Sequence, residues 1–105
     1  QPSQATYSID QLIVKDHPEQ EETLLIEAVI VNDSAKEQPF PIFELSFSDL
    51  TGKLIVKKGF YPEHYLKGEA SEMLTMPAKT PTHIAISIAD PGDHAVNYSA
   101  KLKKQ

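Results

Sequence analysis

The 105-residue chain contains no cysteine, no tryptophan and only four glycines. Without cysteine there is no disulfide, no thiolate zinc site and no thiol nucleophile. Four glycines are too few for a backbone phosphate cradle. No glycine-rich phosphate loop, G-x-S-x-G elbow or H-E-x-x-H pair occurs. No apolar run approaches the roughly 20 residues of a membrane span, and no basic-then-apolar leader opens the chain, which starts at Gln1 without Met. Positive charge is scarce as well: ten Lys+Arg against fifteen Asp+Glu give a net charge of -5. That argues against non-specific nucleic-acid binding, which needs clustered cations. The one basic cluster, Lys101, Lys103 and Lys104, reads first as a solvated strand end or tail and only second as a phosphate or lipid contact.

What is present repeats with a period of two. "YSIDQLIV", Tyr7 to Val14, is the first apolar-rich stretch. "TLLIEAVIV", Thr23 to Val31, is apolar on both faces except at Glu27, the pattern of a central strand with Leu24, Ile26, Ala28 and Ile30 inward. Phe43, Leu45 and Phe47 alternate with Glu44, Ser46 and Ser48, a half-buried strand. Leu54 to Val56 follow the turn "DLTGK"; Ile84, Ile86 and Ile88 alternate with small residues; Val96 to Leu102 alternates again. "DPGD", Asp90 to Asp93, is a strong turn signal and predicts a hairpin between the last two strands. No stretch offers an amphipathic helix.

This pattern predicts an all-β fold: a two-sheet antiparallel β-sandwich, Ig-like in architecture, with about seven strands and at most one short helical turn near 62–66. The length fits a single domain over residues 1–105, with 1–5 and 103–105 as frayed tails. The four histidines, His17, His64, His83 and His94, show no ligand spacing, so no metal and no cofactor is expected. Nothing pairs two carboxylates or sets a base beside a nucleophile, so no enzyme is expected. The sequons at Asn32 and Asn97 are short enough to arise by chance.

"GFYPEHYL", Gly59 to Leu66, gathers three of the eight Phe and Tyr residues within six positions. One reading is a structural corner. Phe60 and Leu66 bury, Pro62 sets the bend, and Tyr65 packs its ring and bonds its hydroxyl to backbone. Glu63 then lies in the first turn of a short helix, where its charge meets the positive end. The other reading is an exposed patch of Tyr61, Glu63 and His64 for a protein partner. The structural reading is the more economical, because clustered aromatics in small β-domains are more often core plugs.

In order along the chain, "IEAVIVNDS" (26–34), "QPFPIFELSFSDLTGKLI" (38–55), "FYPEHYL" (60–66) and "IAISIADPGDHAVNYSAKL" (84–102) resemble the DUF3426 domain of proteobacterial zinc-ribbon membrane proteins. "FYPEHYL" looks like that family's F-x-P-x-E-Y-L segment, with His64 splitting the Glu-Tyr pair. The resemblance spans about residues 5 to 103. It implies a context: a cytoplasmic zinc ribbon, one membrane helix absent from this chain, then this domain on the extracytoplasmic, periplasmic side of the inner membrane. It supplies no catalytic residues. The expected role is non-catalytic, in protein–protein interaction or envelope sensing, with an unknown protein partner at a sheet edge or near 60–66. The alternatives are a small-ligand or enzyme-accessory domain, or a structural spacer.

Overall fold

The computed structural model describes residues 7–105; the frayed tail expected at 1–5 lies outside the described residues. Six strands run in chain order: β1 (Tyr7–Asp16), β2 (Thr23–Asn32), β3 (Ile42–Ser48), β4 (Leu54–Phe60), β5 (Pro81–Ala89) and β6 (Asn97–Lys103). One helical turn, α1 (Pro62–Tyr65), and a 3-10 turn, Gly68–Glu72, fill the connection between β4 and β5. The strands form two antiparallel sheets of three, ordered β1-β2-β5 and β4-β3-β6. Lettered as in an immunoglobulin sandwich, these are A-B-E and C′-C-F, with no strand in the D and G positions among the described residues.

The alternation read from the sequence builds the core. Ile26, Ala28 and Ile30 of β2, Phe43, Leu45 and Phe47 of β3, and Ile84 and Ile86 of β5 are buried between the sheets. Leu24 is only partly buried and packs at the margin of this cluster. On the outer face of the first sheet, Glu27 pairs with Lys15 across the β1–β2 ladder at 3.3 Å.

Three expectations need correction. Among the described residues the strands number six, against about seven expected. The long 66–80 connection makes only single bridges, Asn32 with Ala78 and Gln38 with Met76, and it adds a 3-10 turn beyond the one helical turn foreseen. Second, β5 and β6 are not a hairpin. β5 pairs with β2 and β6 with β3, so residues 90–96 cross from one sheet to the other. The turn chemistry is real, with Gly92 at φ 110 and its N–H donated to Asp90 Oδ1, but it turns a sandwich corner. Third, the frayed end does not begin at 103. Lys103 is the last residue of β6, opposite Ile42, and the Gln105 amide donates to the Phe40 carbonyl at 2.6 Å.

Chain direction sets the two ends of the sandwich. Tyr7 opposes Asn32, and Lys103 opposes Ile42. The start of β1 and the end of β6 therefore lie at the end that holds the β2–β3 loop (33–41) and α1, and residues 17–22, 49–53 and 90–96 occupy the opposite end.

Candidate interaction groove

The β2–β3 loop holds the corner in place. Proline donates no N–H and favours extended backbone, so "PFP", Pro39 to Pro41, runs outside any ladder and its carbonyls are open to side-chain donors. Three successive carbonyls each receive a distant donor: Tyr7 hydroxyl to Pro39 (2.7 Å), Gln105 amide to Phe40, and Tyr65 hydroxyl to Pro41. Tyr65 is fully buried, its ring edge-on to Phe43 with centroids 6.5 Å apart. Burial, and next the neighbouring Tyr7 hydroxyl, push the Tyr65 hydroxyl well above the usual tyrosine range. Asn32 is the second anchor. Its buried side chain donates to the Lys36 and Met76 carbonyls and accepts from the N–H and hydroxyl of Ser34. A side chain so enclosed offers no acceptor for a glycan.

The corner residues fall into two sets. Phe60 closes β4 opposite Phe43 and packs on the core; Pro62 opens α1; Tyr65 and Leu66 are buried. Tyr61, Glu63 and His64 are exposed, Tyr61 at 44%. His64 turns back so that its Nδ1 accepts the Tyr61 N–H at 3.1 Å, leaving the two rings edge-on at 6.4 Å. This is the job a glutamate does in a capping box. His17 does the same for its loop, accepting the N–H groups of Glu19 and Gln20. Among the described residues no group of three or more His, Cys, Asp or Glu could hold a metal ion.

Glu63 and His64 rim a gap between two edge strands. Each sheet ends on this side with an unpaired strand, β5 in one and β4 in the other. At the corner end the gap is an open, half-polar depression bounded by Phe60, Glu63, His64 and Ser87. Towards the other end it narrows to an apolar cavity of about 240 Å³, walled by Leu45, Phe47, Val56, Ile88 and Pro91. Tyr61 stands beside the depression without lining it.

The β5 edge differs from the other three. Asp90 N–H bonds to the Glu22 carbonyl, which fixes the even-numbered residues of β5 as those paired to β2. Ala85, Ser87 and Ala89 therefore turn their N–H and C=O groups to the free side. Exposed edges are normally protected by lysines, bulges or inward charges. β1 carries a bulge between Asp10 and Ile13, with Gln11 at φ 58. β4 carries Lys57 and Lys58, and β6 carries Lys101 and Lys103. β5, "PTHIAISIA", has no charged residue and an unbroken register, with proline only at its first position. The α1 corner partly covers it, and Lys67, just beyond α1, lines two hollows together with Ala85. Sequence reasoning named the sheet edge without saying which one. The signal was the lack of lysine in "HIAISIA", against its presence in every other strand but β2 and β3, which lie at the centres of their sheets.

The fold and this gap define a small two-sheet β-sandwich domain with one edge strand that carries neither lysine nor bulge. Residues 5–102 match the family described as "Protein of unknown function (DUF3426)", and the chain belongs to that family. No curated protein and no solved structure is found to match it.

Proposed function

We propose that this chain is a non-catalytic interaction module that accepts an extended segment of another protein along the free edge of β5. The observation that carries the proposal is that edge: outward backbone groups at Ala85, Ser87 and Ala89 without the guards of the other edges, beside an apolar cavity. In strand addition the main chain supplies affinity and a pocket for alternate side chains supplies specificity. The apolar cavity, at about 240 Å³, is below the roughly 300–1,000 Å³ of small-molecule sites; the depression beside it, at about 580 Å³, falls within that range but is open and half-polar. The cavity suits one apolar side chain of an added strand better than a separate ligand, which favours the interaction reading over the accessory-domain one.

The setting we propose is the extracytoplasmic side of a bacterial inner membrane, on a membrane-anchored protein, with the segment drawn from an envelope partner. Occupancy of the edge is then the quantity that an envelope sensor would report. Resemblance to zinc-ribbon membrane proteins supports this setting. No helix of the described residues is long and apolar enough to cross a membrane.

Ser87→Pro tests the edge. Its N–H faces outward, so the ladder to β2 keeps every bond while an added strand loses a donor. With a photo-crosslinking residue at Ala89, we expect one discrete adduct in envelope preparations. It should be lost in Ser87→Pro and absent with the same residue at Lys36, while circular dichroism stays unchanged. An adduct that persists undiminished in Ser87→Pro sinks the proposal, and an adduct that proves to be a second copy of this chain replaces it with self-association.

A further inference from the structure

The outer face of the second sheet carries a charge cluster that the groove does not use. Glu44, on the central strand β3, has a side chain only 10% exposed, and three lysines from both neighbouring strands converge on it. Lys103 Nζ donates to Oε2 at 3.3 Å. Lys57 and Lys101 stand 3.8 and 3.6 Å from Oε1, beyond hydrogen-bond range, and that buried oxygen has no hydrogen-bond partner. Their ammonium donors are thus not committed to Glu44, and each ammonium has three.

The floor beside the cluster is flat. Ser46 lies directly between Lys57 on β4 and Ser99 on β6, and Gly59 opposite Glu44 adds no side chain. Glu44, Ser46, Lys57, Ser99 and Lys101 line a hollow of about 260 Å³. Three lysines and one glutamate make this face a local cation on a chain of net charge -5. Glu44 lets the three ammonium groups sit together without a bound anion, so they are already gathered when one arrives.

We infer that this hollow is a binding site for a phosphate group, held by the ammonium groups of Lys57 and Lys101 over the Ser46 and Ser99 hydroxyls. Two sources share that chemistry, a soluble phosphate ester and a phospholipid headgroup. The probes are inorganic phosphate, glycerol-1-phosphate, and phosphatidylcholine vesicles with and without phosphatidylglycerol, followed at low salt by amide NMR and co-sedimentation.

Saturable shifts confined to Ser46, Lys57, Ser99 and Lys101 with the soluble probes assign a phosphate-ester site. Binding only to the phosphatidylglycerol vesicles assigns a headgroup site. In either case Lys57→Gln with Lys101→Gln should weaken binding about tenfold. Ser99→Asp, which keeps all three lysines but puts a carboxylate on the floor, should abolish it. Lys36→Gln with Lys79→Gln should leave it unchanged. The inference is overturned if no probe gives saturable shifts at these residues. It is also overturned if the remote lysine pair weakens binding as much as Lys57 and Lys101 do, which would mean diffuse attraction without a site.

Discussion

Tyr65 and Asn32 each tie a loop to the core through buried polar atoms. Tyr65→Phe keeps the ring but strands the Pro41 carbonyl. It should cost about 1–2 kcal/mol in urea unfolding. Asn32→Ala removes one donor each from the Lys36 and Met76 carbonyls, which keep the Ser34 hydroxyl and the Gln38 N–H, and leaves the Ser34 N–H without its acceptor; it should cost about 1–2 kcal/mol by the same measurement. The raised pKa of Tyr65 gives a second readout. A folded-state value above the unfolded one means stability that is complete below about pH 10 and is lost as pH rises from there. Alkaline destabilisation should therefore be present in the wild type and visibly shallower in Tyr65→Phe. The tyrosine was legible in the sequence, because a corner tyrosine in a β-sandwich packs its ring and bonds its hydroxyl to backbone. Its acceptor was not: Pro41 lies 24 residues away, and only the fold brings the two together.

Among the elements, local pattern and pairing partner carried different information. Period-two alternation located Phe43, Leu45, Phe47, Ile84 and Ile86 on inward faces, since one face of each strand must leave water. It did not say which strands share a sheet. "DPGD" between two alternating runs has the chemistry of a hairpin, yet the same turn serves a crossover when each strand finds a better partner elsewhere. Lys101 and Lys103, read as a solvated strand end or tail, are strand residues whose charge is directed onto Glu44. That contact was invisible because Glu44 sits at an outward position of β3, where a solvated carboxylate is the ordinary expectation. The β3–β4 turn was the more local case. Asp49 Oδ1 accepts from the N–H groups of Thr51 and Lys53 and the Thr51 hydroxyl, and Gly52 sits at φ 91 with open space around it. Gly52→Ala meets no clash, only a left-handed backbone, and should cost about 1–2 kcal/mol in thermal or urea unfolding.

For the molecule as a whole, acid stability should be set by two carboxylates. Burial raises the Glu44 pKa, but the hydrogen bond from Lys103 and the charges of Lys103, Lys57 and Lys101 outweigh it and hold the group below its ordinary value. The Thr51 hydroxyl, and after it the Lys53 N–H, hold Asp49 low. Depressed values mean stability that is present above the unfolded pKa, near 4 for both groups, and is lost as pH falls through the folded ones. Melting temperature should thus fall steeply below about pH 4, and Glu44→Gln should flatten that limb while leaving the alkaline one unchanged. The position of the two ends has a mechanical consequence. Tyr7 and Lys103 lie at the same end of the sandwich, so tension applied between them pulls across the ladders. β1 would peel from β2 and β6 from β3 one hydrogen bond at a time, starting at the Pro39 and Phe40 carbonyls that hold Tyr7 and Gln105. A sandwich loaded in shear must break many such bonds together. This one opens like a zipper, and under pull it would give way early.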